Sequence, residues 1–329
     1  MELKVGILGA GAMGATHARH WARVPGVRVV AVADLDLAKA TKVAESVGAT
    51  PLGSAEELFA AGCDVLSVCT PTDTHRVLTE NALAAGCHVL CEKPMALSLE
   101  DCDAMIAAAE KAGKLLSVGQ VVRFFPEYAN AKKLVDAGEV GSPAVVRARR
   151  GGGFPAWSDW FADTHRSGGI LFDLGVHEFD WLLWCFGPVE RVYAKALTPK
   201  LEAGELEKLD MALVTLRHAS GCISHVEATW ADPKGGGTRF EIAGDAGLLV
   251  HDSRSLPALS FRTEARVGSS SPLHEGDDPY YRQCLAFAQA IRGEAPLAVT
   301  GADGRAAIAV AVAADASLRS GRAVTLEGN

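Results

Sequence analysis

The sequence predicts an α/β chain in two domains, a doubly wound parallel sheet followed by an α+β domain built on a large, open, mostly antiparallel sheet. Three observations predict it. The 329 residues are about twice the usual length of one domain, enough for two separate cores. Between Lys4 and Val118 short β-branched runs alternate with helical patterns, the signature of βαβ units and a parallel sheet. After Phe125 the helices thin out, and alternating strands separated by glycine-rich turns run to about Asp278.

Taken in order, the predicted strands of the first domain are Lys4–Leu8, Arg28–Ala33, Val65–Cys69, His88–Cys91 and Leu115–Val118. Helices are predicted between them over Ala12–Val24, Leu37–Val47, Thr74–Ala84 and Leu99–Ala112. Gly86 and Gly113 follow the last two, where helices commonly stop. A helix over Glu127–Ala137 opens the second domain. The predicted strands after it are Ala144–Arg150, Arg191–Ala196, Met211–Arg217, Cys222–Trp230, Thr238–Ala243 and Gly247–His251, joined by turns such as DPKGGG and AGDAG. Helices over Pro279–Ile291 and Gly304–Leu318 close the chain. The segment Thr263–Asp278, rich in Gly, Ser and charge, reads as a mobile loop. It and the Gly151–Gly169 loop are expected to shape a pocket. The division falls near Gln120, giving domains 1–120 and 121–329, with the C-terminal helices as candidates to pack back on the first.

Composition excludes several classes of function. Thirty-two Lys and Arg against 40 Asp and Glu give a net charge of −8, which disfavours adhesion to nucleic acid or to anionic lipid surfaces. An apolar fraction of 49% with 22% charged residues is that of a globular enzyme rather than a disordered or fibrous chain. The eight cysteines form no Cys-x-x-Cys and mostly lie inside apolar runs, so they read as buried thiols. No secretory signal is visible at the N-terminus, and the longest weakly polar stretch, Ala306–Ala314, is too short to span a membrane. A reducing cytoplasm is the expected setting.

Gly9-Ala10-Gly11-Ala12-Met13-Gly14 matches G-x-G-x-x-G, a motif that is weak alone in a glycine-rich chain. Here it follows a strand and opens a helix, and Asp34 stands at the end of the second strand, which completes the dinucleotide fingerprint. Gly9 permits the tight turn, Gly11 lets backbone approach the pyrophosphate, and Gly14 lets helix and strand pack closely. The Asp34 carboxylate accepts from ribose hydroxyls and repels a 2′-phosphate, so NAD is expected in preference to NADP.

In such sheets ligands bind beyond the carboxyl ends of the strands. One strand ends in Cys69-Thr70-Pro71-Thr72-Asp73-Thr74-His75, whose hydroxyls and carboxylate serve either a helix start or a cofactor ribose. The next ends in Glu92-Lys93-Pro94, where Pro94 holds Lys93 extended, so Lys93 is expected to face the cofactor crevice. In the second domain, Asp173, His177, Asp180 and Trp184 share a face roughly 60° wide at about 100° per residue of α-helix. A solvated stripe seldom places His between two Asp, so the stripe reads as a site in which Asp173 orients His177 as a general base. Helix capping by Asp173 is the alternative. No metal is expected, since no His-x-x-x-His or partnering Cys-x-x-Cys occurs.

Together GAGAMG, Asp34, CTPTDTH, CEKPMALSLE, VVRFFPEY and GGILFDLGVHEFD resemble the glucose-fructose oxidoreductase / inositol dehydrogenase family, Gfo/Idh/MocA, over nearly the whole chain. The resemblance implies an N-terminal Rossmann domain and a C-terminal domain whose open sheet builds homodimers or homotetramers. It places catalytic roles on Lys93, Asp173 and His177. The cofactor set carried over is Gly9, Gly11, Ala12, Met13, Gly14, Asp34, Thr70, Pro71, Thr72, His75, Glu92, Lys93 and Gln120. The activity it implies is interconversion of a secondary alcohol and a ketone on a sugar, inositol or related polyol. The hydroxyl proton would go to His177 while Lys93 stabilises the alkoxide, although the two residues are candidates for the same proton. Arg123, Trp157, Trp160, Asp180 and Trp184 are candidates for substrate contact, since aromatic faces suit sugar C–H groups. The rival readings are an NAD-dependent glycosidase or other redox-assisted reaction, and a non-catalytic NAD-binding regulator.

Overall fold

The computed structural model of the chain describes residues 2–155, 158–196, 211–232, 236–255, 258–263, 267–270 and 278–326. Its first stretch alternates regularly: β1 (Leu3–Leu8), α1 (Ala12–Trp21), β2 (Val27–Ala33), α2 (Leu37–Val47), β3 (Thr50–Leu52), α3 (Ala55–Ala60), β4 (Val65–Val68), α4 (His75–Ala84), β5 (His88–Cys91), α5 (Leu99–Ala112) and β6 (Leu116–Val118). The six strands are all parallel in the order β3-β2-β1-β4-β5-β6. Central strands of such a sheet are covered on both faces and must be apolar throughout, and every residue of β4 is buried. The helix ends follow local chemistry. Asp36 caps α2 by accepting from Ala38 and Lys39, Ser98 caps α5 by accepting from Asp101, and these helices stop at Gly48 and Gly113 in the left-handed region.

Two elements of this sheet were not anticipated, β3 and α3, which are too short to show a period. The signal that was available is Ser54-x-x-Glu57, a capping pattern. Ser54 Oγ accepts from the Glu57 amide, and the Glu57 carboxylate accepts from Gly53. The first helix also ends at Trp21 rather than Val24.

The second stretch contains α6 (Pro126–Asp136), β7 (Pro143–Gly151), α7 (Thr164–Ser167), a π-helical segment (Leu171–Gly175) running into α8 (Val176–Phe186), then β8 (Val189–Ala196), β9 (Met211–His218), β10 (Ile223–Thr229), β11 (Gly237–Gly244), β12 (Gly247–Asp252), β13 (Leu259–Thr263) and β14 (Val267–Ser270). After them come α9 (Pro279–Ile291), α10 (Gly301–Ser320) and β15 (Val324–Thr325). Nine strands form one sheet in the order β14-β13-β12-β11-β7-β10-β9-β8-β15, antiparallel except where β7 meets β10. The short strands β13, β14 and β15 were not expected. Val267–Ser270 lies in the segment read as a mobile loop, yet it pairs with β13. Gly268 permits this, because the ring of Phe261 occupies the space a side chain there would need. The remainder of that segment, 264–266 and 271–277, lies outside the described residues.

The chain forms two compact units, Met1–Phe124 with Gly276–Arg305, and Phe125–Glu275 with Ala306–Asn329. In the first, α9 closes the core: Phe287 meets the fully buried Trp21 edge-on with ring centroids 6.4 Å apart. In the second, alternation along β9 and β10 turns Ala212, Val214, Leu216, Val226 and Ala228 inward. Tyr128 of α6, Trp181 of α8 and Phe240 of β11 form an aromatic cluster with centroids 4.8 to 5.1 Å apart.

This second core holds an ion pair. Glu178 is fully buried, and its Oε1 accepts from Arg150 Nε at 2.8 Å and from the Tyr128 hydroxyl at 3.1 Å. Burial pushes the Glu178 carboxyl above its ordinary range, and Arg150 opposes the shift. A carboxyl whose folded pKa is raised weakens the fold as pH rises from the ordinary carboxylate value through the raised one. Removing Arg150 extends that window upward. Arg150→Met is therefore expected to destabilise the chain by about 3 kcal/mol at pH 8, and less at pH 5, where protonation discharges Glu178. Denaturant unfolding at the two pH values checks this, and a deficit that grows on acidification would contradict it.

Candidate active site

The site in the first unit starts from the turn after β1. Gly9 has φ +95°, and a side chain on it would strike the carbonyl of Cys69. A Cβ on Gly14 would collide with the carbonyl oxygen of Gly9, so α1 sits directly on the turn. A Cβ on Gly11 would meet no heavy atom within 4 Å. That open space lies at the start of α1, which begins at Gly11 with no side-chain cap and no acidic residue in its first turn. Its amides are available to an anion. Asp34 is held by two amides, Ala10 N–H to Oδ2 at 2.7 Å and Asp36 N–H to Oδ1 at 2.8 Å. The residues present fit a dinucleotide: an uncapped helix start containing Ala12 and Met13, room over Gly11, and a fixed carboxylate.

At the exit of β4, Thr74 Oγ1 donates to the Pro71 carbonyl at 2.7 Å and lies 2.8 Å from the Thr70 hydroxyl. Thr72 is buried. His75, expected at the cofactor, is buried with its ring nitrogens 2.9 Å from the carbonyls of Pro94 and Thr70. It lies between the turn after β4 and the turn after β5, and with one N–H on its ring it donates to one of the two carbonyls. Burial holds its pKa below the ordinary range despite the bonds to Thr70 and Pro94. Glu92, also expected to touch the cofactor, is buried against His17 and takes the Lys93 amide at 3.1 Å. Lys93 itself is half-buried at the exit of β5. Gln120, just past β6, is buried with its Oε1 lacking a partner among the described residues, an acceptor set for a donor on a ligand.

Arg123 does not take the place expected of a substrate contact. Its guanidinium is buried, donating to Asp303 Oδ1 at 3.1 Å and to the Ala298 carbonyl at 3.4 Å. Asp303 is held below its ordinary pKa, since Arg123 and Thr300 outweigh burial. A Thr300-x-x-Asp303 capping pattern was its sequence signal.

In the second unit Asp173 lies in the π-helical segment and His177 in the first turn of α8, both half-buried. The wider π turn breaks the stripe drawn at an even helical step. Asp180 is fully buried and cannot meet a substrate from there. Trp184 is half-buried under the Lys132 ammonium, 5.4 Å from the ring centroid. Trp160 is half-buried and stacks on Phe161, and Trp157 lies outside the described residues. Sequence reasoning passed over Glu178 and His17, both enclosed by apolar neighbours. Among the described residues no group of three His, Cys, Asp or Glu side chains is arranged to hold a metal, and no helix is long and apolar enough to cross a membrane.

Comparison with known proteins agrees with this architecture. Residues 3–120 match the Gfo/Idh/MocA model described as an oxidoreductase family with an NAD-binding Rossmann fold, and residues 128–250 match the C-terminal domain model of the same family. The chain is 30% identical to scyllo-inositol 2-dehydrogenase (NAD(+)) of Bacillus subtilis, covering 99% of this chain and 97% of that protein. It is 28% identical to myo-inositol 2-dehydrogenase of Thermotoga maritima, over 99% of each. The crystal structure of an Agrobacterium radiobacter oxidoreductase in complex with NAD+, L-tartaric acid and magnesium superposes with a TM-score of 0.86 at 25% identity, over 99% of this chain and 98% of that one.

The glycines separate folding from binding. Gly14→Ala is expected to lower stability by at least about 2 kcal/mol through its clash with backbone. Gly11→Ala is expected to change stability by less than about 0.5 kcal/mol and to weaken NADH binding at least about tenfold by filling the pyrophosphate's approach. Thermal unfolding and NADH fluorescence titration test the pair; equal binding by native chain and Gly11→Ala would move the cofactor elsewhere.

Proposed function

The chain belongs to the Gfo/Idh/MocA family of NAD-binding oxidoreductases, and on that premise we propose that it is an NAD-dependent dehydrogenase of a cyclic polyol or sugar, with an inositol oxidised to its ketone the favoured reaction. The observation that carries the reading is Lys93, set at the exit of β5 on a turn fastened by Glu92 and His75. A lysine whose backbone is anchored at a strand end is held where a parallel sheet binds its ligands. The inositol dehydrogenases among the full-length relatives support the substrate class.

NAD, held by the turn Gly9–Gly14 and by Asp34, supplies the hydride acceptor. Thr70, Pro71, Thr72 and Gln120 serve the cofactor from neighbouring strand ends. On the substrate side His177 takes the hydroxyl proton, Lys93 donates a hydrogen bond to the oxygen as its charge develops, and Asp173 orients the imidazole or a second hydroxyl. Trp160 offers a face to ring C–H groups. None of the eight cysteines is in a disulfide, which supports a reducing compartment, the cytoplasm. A second copy of the chain covers the open face of the nine-stranded sheet, where Leu213, Tyr193 and Ile223 are 50%, 40% and 39% exposed.

Lys93→Ala and His177→Ala are each expected to lower turnover at least about a hundredfold with NADH still bound, read at 340 nm against a panel of inositols, aldoses and amino sugars. Native turnover in both variants would remove the assignment, and glycoside cleavage without NADH accumulation would replace the dehydrogenase by a redox-assisted hydrolase. For the assembly, light scattering is expected to give a dimer or tetramer that Leu213→Arg dissociates; a native monomer would refute the sheet interface.

A further inference from the structure

Beneath the dinucleotide turn runs a chain of hydrogen bonds closed to water. Trp21 Nε1 lies 2.8 Å from Ser67 Oγ, Ser67 Oγ lies 3.2 Å from His17 Nδ1, His17 Nε2 lies 2.9 Å from Glu92 Oε1, and Glu92 Oε2 takes the amide of Lys93 at 3.1 Å. Trp21, Ser67 and His17 are fully buried and Glu92 is 5% exposed. The two ends set the directions, because the Glu92 carboxylate can only accept and so takes the proton of His17 Nε2, which leaves Nδ1 to accept from Ser67. An indole N–H can only donate, so Ser67 Oγ accepts from Trp21 and turns its own proton to His17 Nδ1. The imidazole then carries its proton on Nε2 and donates it to the Glu92 carboxylate. Both carboxylate oxygens are engaged, one by a side chain of α1 and the other by the backbone of the Lys93 turn.

We propose that His17 and Glu92 are a positioning pair, which ties the helix behind the cofactor turn to the turn that presents Lys93. The pair does not touch a ligand, and its role rests on the reading of Lys93 given above. Three features support it. His17 lies one turn beyond Gly14, whose contact with the Gly9 carbonyl fixes α1 to the strand end, so Glu92 is referenced to the same backbone that receives the pyrophosphate. Gly119, on the other side, has no room for a side chain because the Glu92 carboxylate fills that place. Burial pushes the Glu92 carboxyl up, but the hydrogen bond from His17, with Lys93 and its amide, outweighs it and holds the group below its ordinary range. It is kept as an anion in a site that would otherwise neutralise it.

A merely structural role predicts that losing His17 lowers stability and leaves Lys93 as it was. Positioning predicts more. His17→Leu removes the donor, whereas His17→Gln keeps an N–H for Glu92 and a carbonyl for Ser67. In the full chain, His17→Leu is expected to speed deuterium exchange of the peptide carrying the Lys93 amide at least about tenfold. It should also lower kcat at least about tenfold on the best polyol of the panel, with the NADH dissociation constant changed less than about threefold. His17→Gln is expected to restore both. In a Lys93→Met background His17→Leu should cost less than about twofold further in kcat, because it acts through the missing lysine.

Additive losses in that double variant, or native exchange at Lys93 in His17→Leu, would overturn the pair. Should Lys93→Met alone keep native turnover, the catalytic reading of Lys93 falls, and the exchange experiment still decides whether His17 and Glu92 hold the turn. Nitrogen NMR of the histidine-labelled chain at pH 8 gives a reading independent of activity and stability: the Nε2–H tautomer at His17 is expected, and an Nδ1–H tautomer would reverse the chain of bonds and refute it.

Discussion

The contact on which the first unit depends is that between Gly14 and the carbonyl of Gly9. It brings the axis of α1 so close to β1 that no side chain fits between them, and three consequences follow from the one approach. The helix start is left uncapped at Gly11, its partial positive charge facing open space. The Ala10 amide lies where it can hold Asp34 across the sheet. His17, on the buried side of the helix, reaches Glu92, 75 residues further along the chain. The open helix start, the placement of Asp34 and the placement of the Lys93 turn are thereby referred to a single backbone contact.

Three carboxylates show how differently a buried or half-buried anion can be stabilised. Glu92 has the imidazole N–H of His17, a backbone amide and the nearby charge of Lys93, and is held below its ordinary pKa despite its burial. Asp303 has Arg123 and the hydroxyl and amide of Thr300, and is also held down. Glu178 has the full charge of Arg150 and the Tyr128 hydroxyl, yet burial wins and its pKa is raised. The difference is in the second oxygen: Oε2 of Glu178 has no hydrogen-bond partner among the described residues, whereas both oxygens of Glu92 and of Asp303 are engaged. Satisfaction of each lone pair, more than the presence of a cation, decides whether the charged form survives burial.

Much of the first unit was legible in the sequence because its signals are local. Strand periodicity, Gly48 and Gly113 at helix ends, and the G-x-G-x-x-G turn with Asp34 each depend on a few adjacent residues. Lys93 was legible for the same reason, since Pro94 marks a strand end. What escaped was set by distant partners. Arg123 reads as a free cation until Asp303, 180 residues away, is placed beside it. Asp180 was assigned to the functional stripe by an even helical step, but it is fully buried, and the π turn at Leu171–Gly175 shifts Asp173 out of phase with α8. His17 had a weak local signal, lying three residues after Gly14 and four before Trp21, the spacing of a buried helix face. A histidine on such a face marks a polar partner in the core, and the sequence could not show that the partner is Glu92.

The turn after β5 shows why chemistry gathers at strand ends. A side chain that must present a charge to a ligand needs a fixed backbone, but fixing it with its own head group would consume the charge. Here the fixing is done through main-chain atoms: the Lys93 amide is held by Glu92, and the Pro94 carbonyl by His75. Each holding side chain is buried, Glu92 bonded to α1 and His75 lying against the exit of β4. Two supports on adjacent residues restrict the turn. A parallel sheet supplies such an arrangement readily, because all its strands end on one side and each exit lies beside the next. The same topology that gathers the glycine turn, Asp34, Thr70 and Lys93 along one edge also supplies the buried neighbours that hold them there.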